Sequence, residues 1–224
     1  MINMGDDSEK DSLMMRLYRA RLMSYLLYSH AYFLRRELKG CKSALDIGSG
    51  INSPLRHSGL IYTVAVDIFE PVLKEARAAH THSAYMLADI ARMEFKSGSF
   101  DAVVLCEVLE HMDKQSGLNL LEKAEGWAMK KVLISSPNGY YAQADILGNP
   151  YQVHRSGWEV KEMADRGYKA YGLVGLRFRP FPSSIFAGAI WGFFSVALQC
   201  LTYYFPGRLA FWVFYVKDKE SRRI

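Results

Sequence analysis

The chain has 224 residues, half of them hydrophobic and 23% charged, and its 28 Lys and Arg against 23 Asp and Glu leave a net charge of +5. That length and apolar share allow a buried core and exclude extended disorder, while basic residues scattered along the chain lack the concentrated face of a nucleic-acid binder. Cys41, Cys106 and Cys200 are widely spaced with no C-x-x-C pair, which fits a reducing, cytoplasmic compartment and neither a disulfide framework nor a zinc site.

Residues 1–40 read as an N-terminal unit and 41–224 as one domain. A polar tail carrying Asp6, Asp7 and Glu9 lacks the basic start of a signal peptide. From about Asp11 to Leu38, small and apolar residues recur at three- and four-residue steps (Leu13, Leu17, Ala20, Ser24, Leu27, Ala31, Leu34, Leu38), which predicts an amphipathic helix stopped by Gly40. The helix either packs on a sheet, or caps a site, or lies on a membrane or a second subunit.

Downstream, strands and helices alternate. Ala44–Ile47, Ile61–Asp67, Ala84–Asp89, Phe100–Cys106 and Lys131–Ser136 read as five buried strands, with helices over Glu70–Ala79 and Leu118–Lys130 between them. Trp158–Arg166 reads as a helix, Tyr168–Leu176 as a sixth strand and Leu209–Lys217, rich in aromatic and β-branched residues, as the last. This alternation predicts an α/β, doubly wound, largely parallel sheet. Residues 180–207 carry no charge, and from Ser184 to Phe205 the stretch is long enough to raise a bilayer question. A single crossing would strand the last strand away from its sheet. A peripheral membrane contact, a lid over an apolar acceptor, core packing or a homodimer face all remain open.

The first strand runs into Asp46-Ile-Gly48-Ser49-Gly50, where glycines allow a sharp turn and bare amide groups against which a ligand can lie. Asp46, Asp67 and Asp89 each fall at a strand end, and in a parallel sheet such ends share one crevice. Asp67 stands at the distance from the turn where an acid accepts from both hydroxyls of an adenosine ribose, and Asp89 could accept from the adenine amine. A third glycine of a dinucleotide fingerprint is missing at Ser53, and Asp46 would sit against a pyrophosphate. A carboxylate there suits an ammonium group better, which favours S-adenosylmethionine over a nicotinamide cofactor.

Leu45-Asp-Ile-Gly-Ser-Gly50, Val66-Asp67, Ala88-Asp89-Ile90 and Ser99-Phe-Asp-Ala-Val-Val-Leu-Cys-Glu-Val-Leu-Glu-His111 together resemble the class I S-adenosylmethionine-dependent methyltransferases, over roughly residues 40–140. The block ending in Glu-Val-Leu-Glu-His resembles the branch acting on small molecules and lipid-linked intermediates. The resemblance implies a Rossmann-like seven-stranded sheet with an antiparallel strand 7 beside strand 6, and S-adenosylmethionine as the methyl donor. It implies a cofactor set of Asp46, Gly48, Ser49, Gly50, Asn52, Asp67, Ile68, Asp89, Ile90 and Cys106, with Asn52 standing where the family places a further glycine. Cys106 and Glu107 would lie near the sulfonium.

Methyl transfer needs positioning foremost, and a base only where the acceptor must lose a proton. His154, in the stretch Asn149–Trp158 after the fifth strand, is the residue expected on the acceptor side, with Glu107 as the second catalytic candidate and His111 in a structural role. No metal is expected. The acceptor is a small molecule or a lipid-linked one, and a methyltransferase-like scaffold without turnover stays open as the alternative.

Overall fold

Seven strands form one sheet in the computed structural model, which describes residues 29–145, 148–173, 176–177, 194 and 197–219. They are β1 (Ser43–Ile47), β2 (Tyr62–Asp67), β3 (Ala84–Leu87), β4 (Phe100–Cys106), β5 (Ala128–Pro137), β6 (Lys169–Gly172) and β7 (Trp212–Asp218). In space they run β3-β2-β1-β4-β5-β7-β6, with β7 antiparallel to both neighbours, as the resemblance implies, and every other pair parallel. The order reverses between β1 and β4, so the carboxyl ends of β1, β2 and β4 flank a crevice.

Strand alternation sorts the core into two layers. Leu45, Ile47, Val103, Leu105 and Ile134 face one side of the sheet, where α3 (Lys114–Trp127) covers them with Leu120, Leu121 and Ala124. Ala44, Ala102, Val104 and Leu133 face the other, against Phe33 and Leu34 of α1 (His30–Glu37). Ser29 caps α1, its hydroxyl accepting from the Tyr32 amide at 3.2 Å. The earlier part of the predicted N-terminal helix lies outside the described residues.

Element ends differ from the sequence reading in physically readable ways. α3 begins at Lys114, four residues earlier than predicted, because Asp113 caps it by accepting from the Ser116 amide at 3.0 Å. β5 then follows directly at Ala128. β3 stops at Leu87, since the Asp89 side chain turns the chain into a 3₁₀ turn over Ile90–Arg92. The remaining helices are α2 (Glu70–Ala78), α4 (Val160–Asp165), α5 (Gln199–Tyr204) and α6 (Pro206–Leu209). Asn138, at the end of β5, fastens the segment that leads into β7, its amide donating to the carbonyls of Pro206, Gly207 and Ala210 at 3.0–3.2 Å.

Of the uncharged stretch, residues 180–193, 195 and 196 lie outside the described residues. Phe194, Leu201, Tyr204 and Phe205 are exposed, whereas Thr202 is fully buried against β6. Among the described residues no helix is long and apolar enough to cross a membrane.

Packing of α3 gives a direct stability test. A Cβ at Gly117 would stand 2.5 Å from Cζ2 of Trp158, which is wholly buried. Alanine gains about 1 kcal/mol over glycine in helix propensity, but forcing volume into a filled core costs about 1–3 kcal/mol. Gly117→Ala is therefore expected to lower the thermal midpoint, read by circular dichroism, although the same change on an exposed helix face raises it.

Candidate active site

The glycine turn after β1 folds back over β2, with the Gly48 and Ser49 amides both donating to the Val66 carbonyl at 2.8 and 3.2 Å. Gly48 and Gly50 have φ of +63° and +58°, which glycine alone adopts without penalty. Gly48 also has no room for a side chain, since a Cβ there would approach Val108 Cγ2 to 2.6 Å. Asp67 then pins the turn: Oδ2 accepts from the Gly50 amide at 3.0 Å and Oδ1 from the Phe69 amide at 2.9 Å. Each of these oxygens keeps a lone pair for a ligand.

A cleft of about 340 Å³ opens beside this turn. Gly48, Gly50, Asp67, Ile68, Asp89 and Ile90 form one part of its wall. Glu107, Val108 and His111 form another, with Asn149, Tyr151, Gln152 and Arg155 from the loop after β5, whose Tyr151 ring lies 6.5 Å from that of Phe69. The structure thus brings together six of the predicted cofactor residues (Gly48, Gly50, Asp67, Ile68, Asp89 and Ile90) and Glu107.

Asp46 does not reach the cleft. Alternation along β1 turns it to the face opposite Leu45 and Ile47, where it is 2% exposed. There it accepts from the Ser53 hydroxyl at 2.5 Å and meets His82 Nε2 at 3.0 Å. The expectation that this carboxylate faces a ligand's ammonium group gives way to a buried Asp46–Ser53–His82 cluster that braces the turn from behind. Asn52 is exposed and lies off the cleft wall. Ser49 is buried in the turn, and its hydroxyl finds no hydrogen-bond partner among the described residues. Cys106 stands behind the wall, its thiol pushed well up by desolvation and by the charges of Asp46 and Glu107.

Glu107 is held in an unusual backbone, φ +56°, at the end of β4. Its Oε1 accepts from Ser135 Oγ at 2.7 Å and lies 3.4 Å from His30 Nε2, and Oε2 accepts from Trp212 Nε1 at 2.9 Å. Burial opposes its charge, but His30 and then Ser135 outweigh that and hold the carboxyl below its ordinary value. His30 and Trp212 were invisible in the sequence, lying 77 and 105 residues away. Ser135, one residue before the end of the predicted fifth strand, gave no polar signal of its own.

Glu110 behaves oppositely. It is 2% exposed, and burial followed by the nearby charge of Glu107 pushes its carboxyl well up. The folded protein therefore keeps a proton that the unfolded chain releases near the ordinary value of 4.5. The resulting stability is complete below that pH and is lost as pH rises through the folded value. Glu110→Gln, an isostere of the neutral acid, should remove that decline. In metal-free buffer its urea midpoint should fall less than that of the wild type between about pH 5 and pH 8.

His154 does not line the cleft itself. Its ring stands edge-on to His111, 4.8 Å between centroids, and His111 forms the wall. Nδ1 of His154 lies 2.7 Å from the Tyr141 carbonyl. Burial, then the neighbouring His154, lower the pKa of His111 and favour its neutral form.

Comparisons with known proteins agree with this geometry. Residues 45–124 match the family model described as a methyltransferase domain. A comparison with curated protein sequences gives no match. A solved S-adenosylmethionine-dependent methyltransferase from Archaeoglobus fulgidus aligns with 88% of this chain and 98% of its own at 16% identity and a TM-score of 0.53. One from Mesorhizobium loti aligns over 84% and 97% at 16% identity and the same TM-score of 0.53. Phosphoethanolamine N-methyltransferase 2 of Haemonchus contortus, solved with S-adenosyl-L-methionine, aligns over 80% of this chain and 48% of its own at 18% identity and a TM-score of 0.50.

Proposed function

We propose that this chain is a class I S-adenosylmethionine-dependent methyltransferase whose methyl acceptor is a small molecule lodged between Glu107, His111 and the loop 149–155. The observation that carries this reading is the shared cleft. Two carboxylates and a bare glycine turn line it together with an aromatic, two carboxamides and a guanidinium from one loop. Bound S-adenosylmethionine supplies an electrophilic methyl group on a sulfonium.

The chain's own residues do the rest. Asp67 holds the Gly50 amide in place and offers lone pairs to ribose hydroxyls, while Asp89 and Ile90 stand where the adenine is recognised and covered. Gly48, lying against Val108, lets the methionine portion approach bare backbone. The charged Glu107, tied by Ser135, Trp212 and His30, presents a fixed negative edge toward the sulfonium end. Asp46, Ser49, Asn52 and Cys106 support this cradle from behind or beside it.

His154 acts on the acceptor through His111, which it contacts edge-on. Calorimetry with S-adenosylhomocysteine, followed by radiolabelled methyl transfer into small-molecule fractions of a cell extract, tests the reading. Ligand binding without transfer to any fraction supports the scaffold alternative. His154→Ala is expected to change kcat or the acceptor KM while leaving S-adenosylhomocysteine affinity near that of the wild type, and unchanged kinetics would remove His154 from the acceptor side.

A lipid-linked acceptor is the second reading, favoured by the exposed Leu201, Tyr204 and Phe205. Flotation of the protein with anionic and neutral liposomes separates it from the first, because a small-molecule enzyme stays with the unbound fraction.

A further inference from the structure

Beside the cleft, Glu110, His111 and His154 bring one ligand atom each to within 4.8 Å of one another. We infer that these three residues form a binding site for one first-row divalent transition-metal ion, of the Zn²⁺, Mn²⁺ or Co²⁺ class. Two imidazoles and one carboxylate suit such ions better than Mg²⁺ or Ca²⁺, which prefer all-oxygen surroundings.

The arrangement is pre-set for ligation. Nδ1 of each imidazole points at a main-chain carbonyl, that of His154 at Tyr141 (2.7 Å) and that of His111 at Val153 (3.4 Å). A ring that donates from Nδ1 carries its lone pair on Nε2, the tautomer a metal needs, and such carbonyls orient metal-binding histidines. Glu110 is 2% exposed, and no donor among the described residues reaches its Oε2. A buried carboxylate oxygen left so costs about 1–3 kcal/mol, and a cation relieves it. Metal binding displaces the proton that this carboxyl otherwise keeps beside the charged Glu107, as it does for other protein ligands.

The two segments that supply the ligands are bolted together. Arg155 and Ser156 amides both donate to the Glu110 carbonyl, at 2.7 and 3.1 Å, and the Ser156 hydroxyl donates to the Leu109 carbonyl at 3.0 Å. The buried Trp158 indole in turn donates to that hydroxyl at 3.1 Å. Ligand atoms bonded to one ion at about 2.0–2.2 Å stand at most roughly 4.4 Å apart, so a small rotation of the half-buried His154 ring closes the set. Three protein ligands leave a position open, and His111 forms part of the cleft wall. An acceptor hydroxyl occupying that position would lose its proton more readily, a role that rests on the methyltransferase reading, whereas the ion site does not.

The test is a Co²⁺ titration of chelator-stripped protein, followed by visible absorption, with S-adenosylhomocysteine binding measured on the same samples. The wild type should take up one equivalent with ligand-field bands that Zn²⁺ abolishes. His154→Asn keeps an amide donor near the Tyr141 carbonyl but loses the Nε2 lone pair, and Glu110→Gln loses the carboxylate that an ion would bind. Each should weaken Co²⁺ binding by about tenfold or more. No uptake by the wild type at millimolar Co²⁺, or an affinity in both variants equal to that of the wild type, overturns the inference. Nucleoside binding without Co²⁺ uptake sinks the metal site alone, and Co²⁺ uptake without nucleoside binding sinks the methyltransferase reading alone.

Discussion

Asp67→Ala is expected to weaken S-adenosylhomocysteine binding about 100-fold, or nearly 3 kcal/mol, when measured by calorimetry. Two losses combine. The carboxylate's proposed hydrogen bonds to ribose hydroxyls disappear, each charge-assisted bond being worth about 1.5–3 kcal/mol. The Gly50 amide, which Asp67 Oδ2 holds at 3.0 Å, is also released, so the turn no longer arrives pre-formed. Asp67→Asn keeps one acceptor oxygen without the charge and should fall between, at about tenfold. Because Asp67 is only half-buried at the strand end, both variants should keep most of their thermal stability. A wild-type affinity in Asp67→Ala would mean that the nucleoside does not bind at this end of the cleft.

Much of this was legible because strand burial and strand exit leave separate marks. Ala102–Cys106 is apolar throughout since both faces are covered, and Asp67 ends the apolar run of β2 where the chain leaves the sheet. Those marks, together with the family resemblance, gave the alternation of strands and helices and the shared carboxyl edge, while the full strand order emerges only from the structure. Asp46 shows the limit of the same logic. Its position at the strand end suggested the crevice, but period-two alternation behind Leu45 and before Ile47 sends its side chain to the other face. The partner that waits there, His82, precedes β3 and has no sequence signature that ties it to Asp46. Glu107 is similar: its place after β4 was readable, whereas its support by His30 and Trp212 depends on how α1 and β7 meet β4 and β5 in space. The cap at Asp113 was readable in principle, as an acid three residues before Ser116, and it moves the start of α3 by a full turn.

Gly48→Ala should weaken S-adenosylhomocysteine binding by tens-fold through two effects that a second substitution can separate. The first is conformational: φ of +63° costs a residue with a Cβ about 1–2 kcal/mol. The second is steric, since the new methyl would press on Val108 Cγ2, which itself lines the cleft. Overlap at 2.6 Å must be relieved by moving either the glycine turn or the Val108 side chain, and both moves reshape the wall where the methionine portion would lie. Val108→Ala in the Gly48→Ala background removes Cγ2 and leaves the backbone penalty untouched. The double variant should therefore recover a part of the lost affinity, with a favourable coupling in the mutant cycle. No recovery would place the whole effect in the backbone and would leave the close approach of Gly48 to Val108 without a part in ligand binding. Recovery identifies Val108 as the side chain for which position 48 must be bare.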